Sequence, residues 1–372
     1  MYLTKLTLSN FKNYETLDLE LSSKINCFVG NNGVGKTNIL DGIHYLSFCK
    51  SYFNSNDTQN IRHDQSFFAI HGYFDKDEST NDIISCIQKL SQKKQFKKNK
   101  KDYDRLADHI GLYPLVMISP YDRDLINEGS EIRRKYLDSI ISQFDKPYLD
   151  NVINYNKALY QRNALLKSFA EKNYYDASVL EIWDQKLSML GKEIFEARVK
   201  FIDDFKPLFQ QYFEIISDAK ETVQVKYKSQ LSERDLEELL AVSINKDRQL
   251  RYTSKGIHKD DIEFIIDGYP VKKFGSQGQQ KSYIIAIKLA QFEYTRKMKG
   301  FKPILLLDDV FDKLDDERVK QLIKLVNENS FGQVFITDTN QQRVERIFVE
   351  NDIDHRIFNI EEGIATVIEN GK

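Results

Sequence analysis

The chain has 372 residues, 41% hydrophobic and 30% charged, enough to bury a full core and to divide into about two domains. Its 54 basic and 56 acidic residues leave a formal charge of -2, which excludes a globally cationic surface, so any nucleic-acid contact has to come from a local basic patch. No apolar run is long enough to span a bilayer, none near the N-terminus resembles a signal peptide, and the three cysteines (Cys27, Cys49, Cys86) lack metal-ligand spacing, so a cytoplasmic protein with reduced thiols and no membrane partner is expected.

The first elements read as β. Leu17, Leu19 and Leu21 alternate with Asp18 and Glu20, the period-two pattern of a half-buried strand. The apolar run Ile25-Asn26-Cys27-Phe28-Val29 is a second strand. It ends on Gly30-Asn31-Asn32-Gly33-Val34-Gly35-Lys36-Thr37, after which Ile39, Leu40, Ile43 and Leu46 recur at helical spacing. Strand, glycine loop and helix in this order make a phosphate-binding P-loop. The glycines let backbone N–H groups turn inward around phosphates at the positive end of the helix. Lys36 is expected to contact the β- and γ-phosphates of ATP and the Thr37 hydroxyl to ligate Mg²⁺. Asn31, Asn32, Val34 and Asn38 belong to the same cradle. A glycine turn with an incidental lysine is the bland alternative, and the flanking strand and helix weigh against it.

Residues 61 to 118 carry further strands, among them Phe67-Phe68-Ala69-Ile70 and Ile83-Ile84-Ser85-Cys86-Ile87, followed by a lysine-rich stretch from Lys89 to Lys101. From about residue 121 the pattern turns helical. Ile132, Tyr136, Leu137, Ile140, Ile141 and Phe144 mark one amphipathic helix, and Ile182, Trp183, Leu187, Leu190 and Ile194 another. Phe201, Phe205, Phe209 and Phe213 fit helix-core packing better than base stacking. Val223, Val225 and Tyr227 are a strand-like exception. Near residue 250 the β character returns, with Ile262, Phe264 and Ile266 alternating with Glu263, Ile265 and Asp267, and Asp267-Gly268 offering a hairpin turn.

A helix and then the apolar strand Ile304-Leu305-Leu306-Leu307 follow, ending on Asp308-Asp309. Carboxylates at the C-terminal edge of a buried parallel strand lie where an α/β sheet places ligands. Asp308 is the candidate Mg²⁺ partner of a Walker B motif, and Asp309 is placed to orient or deprotonate the attacking water. Paired acids after an apolar run can also be helix caps, and the P-loop favours the catalytic reading. More than 250 residues separate the two motifs. Just before the second lies Phe274-Gly275-Ser276-Gln277-Gly278-Gln279-Gln280-Lys281-Ser282. A Ser-x-Gly-Gln element opening a helix looks like the signature of ATP-binding-cassette (ABC) ATPases, in which Ser276, Gly278 and Gln279 would meet a γ-phosphate held by the other subunit. Leu314-Asp315 resembles the D-loop that crosses that dimer interface. The expected fold is therefore α/β: an ABC-type P-loop ATPase head from residues 1–120 and 250–372, a mostly helical lid over 121–249, and no sustained heptad for a long coiled coil.

With these motifs in place the sequence resembles the RecF family, bacterial recombination mediators related to the heads of SMC and Rad50 proteins. The similarity runs over essentially the whole chain. It is carried by Leu8-Ser9-Asn10-Phe11-Lys12-Asn13-Tyr14, by Ser119-Pro120-Tyr121-Asp122 through Arg133-Arg134-Lys135-Tyr136-Leu137-Asp138, and by Gln161-Arg162-Asn163-Ala164-Leu165-Leu166-Lys167. Gly256-Ile257-His258-Lys259-Asp260-Asp261 and Leu307-Asp308-Asp309-Val310-Phe311 complete it. The resemblance implies that Lys12 and Asn13 lie near the nucleotide base. It further implies a weak, DNA-stimulated ATPase used as a switch: ATP joins two heads, and hydrolysis parts them. It also implies sequence-nonspecific binding of duplex, gapped or junction DNA, roles in replication, repair and the SOS response, and work with RecR and RecO to load a recombinase onto single-stranded DNA. Departures are Phe53 where many relatives carry arginine, Tyr121 for a commonly acidic residue, and Ile257 and Lys259 in a Gly-Pro-His-Arg pattern.

Two basic clusters are candidates for DNA. Lys93, Lys94, Lys97, Lys98, Lys100 and Lys101 could neutralise phosphates without sequence preference, against the blander reading of a solvated hairpin with Asn99 in its turn, which is the usual role of a charge run. Arg133 and Arg134 open a lid helix, where a solvated face is the alternative. His63 and His258 lack a second ligand at metal spacing. Among other functions, a Rad50-type head would need long heptad segments, and a transporter nucleotide-binding subunit usually carries glutamate where this chain has Asp309. An OLD-type nuclease would need a further acidic domain after the head.

Overall fold

The computed structural model describes residues 1–77, 80–217, 221–311, 316–327, 331–350 and 354–368. Contacts divide the chain into two units, one of residues 1–122, 215–218 and 281–372, the other of residues 123–214 and 219–280.

The first unit holds two six-stranded sheets. One is antiparallel, in the order Tyr14–Glu20, Tyr2–Phe11, Phe67–Asp77, Thr80–Lys89, Gln95–Lys98, Lys101–Asp102. The other has a parallel core, His355–Glu361, Ile25–Val29, Val334–Asp338, Ile304–Leu307, Leu115–Ile118, with Ile364–Ile368 antiparallel at one edge. The alternation expected around Leu17 is present: Leu17 and Leu19 are buried, and Asp18 and Glu20 face Lys5 at 2.9 and 3.1 Å. The Ile25–Val29 and Ile304–Leu307 strands are buried throughout, as parallel strands covered on both faces must be. The helix Lys36–Phe48 contributes Ile39, Leu40, Ile43 and Leu46 to the core that both sheets share. Its closeness to the antiparallel sheet explains two glycines: a Cβ on Gly42 would stand 3.0 Å from Leu8, and one on Gly72 2.4 Å from Leu46. Cys27, Cys49 and Cys86 are buried free thiols.

The second unit is mostly helical, with Ser130–Ile141, Lys146–Lys172, Ala177–Ser217 and Leu236–Leu250 as its long elements. Lys146–Lys172 and Ala177–Ser217 run antiparallel, tied by Asn151 to Glu193 at 2.6 Å and Arg162 to Asp184 at 2.5 Å. The buried face of the longer helix steps by sevens through Leu180, Leu187, Ile194 and Phe201, which leaves Ile182, expected on that face, 63% exposed. The phenylalanine stripe packs as expected, with Phe201, Phe205, Phe209 and Phe213 all buried. A three-stranded antiparallel sheet (Tyr269–Pro270, Asp261–Ile266, Val223–Lys228) completes the unit, with Asp267 and Gly268 at φ 48° and 83° in the expected hairpin turn. Pairing of Asp261–Ile266 with Val223–Lys228 places residues 250–280 in this unit, so the return to the head falls at Gln280/Lys281 and not near residue 250. No described helix is long and apolar enough to cross a membrane.

Candidate nucleotide-binding site

The P-loop leaves the Ile25–Val29 strand at Gly30 and enters the helix at Lys36. Gly30, Gly33 and Gly35 have φ values of 147°, 82° and 112°, a region that disfavours side chains. Two of them are also crowded: a Cβ on Gly30 would lie 2.4 Å from the Ile360 carbonyl oxygen, and one on Gly35 2.3 Å from the Asn13 amide. Asn31, Asn32 and Gly33 are exposed, while Lys36 is buried. Its ammonium donates to the Gly30 and Asn31 carbonyls, both at 2.9 Å. Of its three donors, one is left for a phosphate oxygen held by the loop.

The N-terminal hairpin straps this loop. Asn13 donates to the Val34 carbonyl at 2.9 Å and accepts from Asn38 at 2.7 Å, and the Tyr14 hydroxyl donates to the Gly35 carbonyl at 3.1 Å. Asn13 and Asn38, expected to face nucleotide, thus hold the cradle's backbone through their side chains. Lys12 is likewise engaged, its ammonium 2.6 Å from the buried Asp41 carboxylate and 5.1 Å from the Phe53 ring centre. Phe53 in turn meets Tyr121 edge-on, with ring centres 5.3 Å apart. Phe53 and Tyr121, the two residues noted above as departures, are therefore in contact as an aromatic pair.

Across the parallel sheet the Thr37 hydroxyl donates to Asp308 at 2.8 Å, although the two residues are 271 apart in sequence. Asp308 is buried and surrounded by hydroxyls, with Thr337 donating at 3.0 Å and Ser119 at 3.4 Å. Burial pushes its carboxyl above the usual range; the Thr37 hydrogen bond opposes this and the neighbouring Asp309 charge adds to it. A divalent cation would relieve that cost. Thr37 and Asp308 together offer two oxygen ligands, which fits Mg²⁺, a cation that takes its remaining ligands from water and phosphate. No group of three or more His, Cys, Asp or Glu that could hold a metal occurs among the described residues. Asp309 has φ 47°, and its N–H donates to the Thr337 hydroxyl at 2.9 Å, so its backbone is fixed in a strained conformation at the strand's end.

Thr337 and Ser119 were not singled out from sequence. Thr337 lies next to the end of Val334–Asp338 and Ser119 directly follows Leu115–Ile118, the two strands that adjoin Ile304–Leu307, and an apolar run closing on a hydroxyl was the available signal. A buried lysine was also missed. Lys288 forms an ion pair with Asp122 at 2.6 Å and donates to the Met117 carbonyl at 3.0 Å, while Asp122 accepts the Ser119 N–H at 2.7 Å. It therefore braces the strand end that presents Ser119 to Asp308.

In the second unit Ser276 and Gln279 open the helix Gln277–Lys299 as a reciprocal cap: the Gln279 N–H donates to the Ser276 hydroxyl at 3.1 Å, and the Ser276 N–H to the Gln279 side chain at 2.7 Å. The Gln279 amide also donates to Glu221 at 2.6 Å, so both ends of its side chain serve the local fold. The Ser276 hydroxyl keeps its proton for an outside acceptor, and Gly278 opens the helix beside it. Leu314 and Asp315 lie outside the described residues.

Several members of the basic clusters have partners within the fold. Lys94 is anchored to Asp57 at 2.6 Å, Lys98 to Asp82 at 3.0 Å and Lys97 to Asp102 at 3.4 Å. Asn99 and Lys100 form the hairpin turn at φ 51° and 68°, and Asn99 donates to Asp82 at 2.9 Å. Lys93, Lys100 and Lys101 remain on or near the surface. Arg133 clamps Asp261 at 2.7 Å, and Arg134 donates to the Asp260 carbonyl at 2.6 Å. These pairings give Lys94, Lys97, Lys98 and both arginines structural partners within the fold, while Lys93, Lys100 and Lys101 keep the solvated character of a hairpin turn.

A family model described as the RecF/RecN/SMC N-terminal domain matches residues 2–364. The DNA replication and repair protein RecF of Flavobacterium johnsoniae is 52% identical over 360 residues, covering 97% of this chain and all of the relative. That of Parabacteroides distasonis is 51% identical over 369 residues, covering 99% of this chain and all of the relative. A solved structure of the recombination mediator protein RecF with ATP superposes with a TM-score of 0.90 at 30% identity, covering 99% of this chain and 97% of that one. The SMC head of Pyrococcus furiosus, at 17% identity and a TM-score of 0.58, shares the fold. With a P-loop, an aspartate pair at the end of a buried parallel strand and a capped Ser-x-Gly-Gln helix, and with relatives matched along their whole length, the chain belongs to the RecF family of DNA replication and repair proteins.

Proposed function

We propose that this protein is an ATP-gated DNA-binding mediator of recombinational repair and replication-fork maintenance, acting in the cytoplasm. The observation that carries the reading is the 2.8 Å hydrogen bond from the Thr37 hydroxyl to Asp308, which brings the P-loop and the Walker B carboxylates into one site. In this reading the P-loop N–H groups and Lys36 cradle the phosphates of ATP, and Thr37 and Asp308 hold Mg²⁺, which neutralises developing charge on the phosphoryl group. Asp309 orients the attacking water. Ser276 and Gly278 of a second copy complete the γ-phosphate's shell, so two copies close on ATP and separate after hydrolysis. DNA (duplex, gapped or junction) is bound by the closed form without sequence preference, and RecR- and RecO-type proteins are the mediator partners. The RecF–ATP structure, described as belonging to the RecFOR pathway, supports the nucleotide and the pathway.

The test is self-association and duplex binding measured with ATP, with ADP and for Lys36→Met. ATP should produce a dimer that binds DNA, ADP should not, and Lys36→Met should lose both responses. A protein that stays monomeric and indifferent to DNA in ATP would overturn the reading.

A further inference from the structure

We infer that the second unit carries a phosphate-binding groove for the sugar–phosphate backbone of DNA, at a place different from the basic runs visible in sequence. An open cavity of about 910 Å³ lies wholly within this unit, and Arg234, Lys246, Lys255 and Lys259 line it. Lys228 also lines it but pairs with Glu263 at 2.8 Å, and the lining Asp261 is taken by Arg133 at 2.7 Å. Glu233 is then the one carboxylate facing four cations. Arg234, Lys246 and Lys255 form no ion pair among the described residues, in contrast to Lys94, Lys97 and Lys98.

The groove floor is rigid where two of these lysines attach. Lys255 and Lys259 flank a turn in which Gly256 has φ 124° and sits against the Tyr155 hydroxyl, which an added Cβ would approach to 2.4 Å. Tyr155 also bonds His258 at 2.9 Å, whose other nitrogen donates to the Thr253 carbonyl at 3.1 Å. The neighbouring Asp260 accepts from the buried Arg198 at 3.1 Å. Long-stemmed cations on a fixed, open floor, Arg234, Lys246 and Lys259 exposed and Lys255 half-buried, suit a row of phosphates that keeps its water. A small anionic metabolite would call for a closed pocket with a forked or buried donor. The Ser232 hydroxyl adds a donor typical of backbone contacts.

The proposal rests on the DNA-binding reading above and is tested in the full-length protein. Lys246→Gln/Lys255→Gln is compared with wild type and with Lys192→Gln, an exposed lysine elsewhere in the unit, for binding of a short labelled duplex in ATP at several salt concentrations. The double variant should bind at least about tenfold more weakly, with a salt slope lower by roughly 2, while Lys192→Gln stays near wild type. ATP binding and ATP-dependent self-association should be unchanged, showing the fold intact. If wild type binds DNA in ATP and the double variant matches it in affinity and slope, the groove is wrong and the function stands. If DNA binding is independent of ATP yet lost in the double variant, the groove stands and the gating is wrong. A wild type that binds no DNA overturns both. Unaltered duplex affinity with loss of binding to a protein partner would transfer the surface to that partner and sink the inference.

Discussion

Ser276 and Gln279 cap each other, each supplying an acceptor to the other's N–H at 3.1 and 2.7 Å. The serine of the signature element therefore has a structural duty inside one copy as well as its proposed duty toward a phosphate on another. The two separate by choice of side chain. Ser276→Ala should remove the cap and lower stability by about 1 kcal/mol. Ser276→Asp retains an N-cap acceptor but sets a negative charge where a γ-phosphate would dock. Thermal unfolding of Ser276→Asp should stay near wild type while ATP-dependent dimerisation is lost. Dimerisation that survives in Ser276→Asp would confine this serine to the local fold.

Gly35 and Asn13 form a second coupled pair, since a Cβ on Gly35 would reach to 2.3 Å from the Asn13 amide. Gly35→Ala meets both that clash and a φ of 112°. It should abolish ATP binding. Asn13→Ala alone should weaken it, because the Val34 carbonyl and Asn38 lose their partner. In the double variant the clash is gone and only the backbone strain remains, so the two losses should combine to less than their sum. Calorimetric titration with ATP across the four proteins measures this, and strict additivity would show that Asn13 does not shape the loop.

Much of the site was legible before any coordinates. Strand, glycine loop and helix are local, and so is an apolar run ending in Asp308-Asp309. What escaped was contact across the sheet: Thr337 and Ser119 reach Asp308 only because parallel pairing aligns their strand ends with it. The lysines of the basic run differ from one another for a related reason. Lys94 looks like its neighbours in sequence, yet its ammonium sits 2.6 Å from Asp57 and covers the Tyr45 ring at 5.0 Å. The unit boundary was set too early because strand pairing of Asp261–Ile266 with Val223–Lys228 is nonlocal.

Asp309 should be separable from Asp308. Its φ of 47° suits asparagine almost as well as aspartate, so Asp309→Asn keeps the backbone while removing the charge. ATP binding should persist and hydrolysis should fall by at least about 100-fold, as expected when a water-positioning base is lost. The variant should then accumulate as an ATP-bound dimer in gel filtration. Asp308→Asn should instead lose Mg²⁺-dependent nucleotide affinity. Equal effects of both substitutions would mean that the two carboxylates share a single role.

Arg162 and Asp247 are both fully buried and 2.7 Å apart, with Arg162 also bonded to Asp184 and to Thr253. Asp247 in turn fixes Ser254 through its N–H and hydroxyl at 2.9 and 2.6 Å. Arg162→Met leaves that carboxylate without its cation and should destabilise the second unit by about 3–5 kcal/mol. Arg162→Met/Asp247→Leu should recover part of this loss, since an apolar pair carries no desolvation cost. Urea unfolding of the two variants and of wild type checks the order. A double variant no more stable than Arg162→Met would show that the Asp247 bonds to Ser254 matter more than its charge.

Two buried histidines, His44 and His109, and the half-buried His258 make stability depend on pH on the acid side. Burial lowers His44, His109 and His258 from 6.5 to about 4 in each case. Each has one ring nitrogen at a backbone carbonyl: His44 at Lys50, His109 at Leu46 and His258 at Thr253, at 3.1, 2.6 and 3.1 Å. The other nitrogen of His109 and of His258 faces a tyrosine hydroxyl, that of Tyr103 and of Tyr155, both at 2.9 Å. Between pH 6.5 and about 4 the unfolded chain therefore binds protons that the folded chain refuses. The folded state is fully stable above pH 6.5 and loses roughly 1.4 kcal/mol per pH unit for each histidine as pH falls through that window. Melting temperature should be flat from pH 8 to 7 and fall steeply from 6 to 5, with proton uptake on unfolding detectable as a buffer-dependent heat. Replacing His109 by Gln keeps a donor toward the Leu46 carbonyl and removes one titrating group, so its profile should be shallower whatever its stability at pH 8. An unchanged slope in that variant would show that the acid loss comes from carboxylates instead.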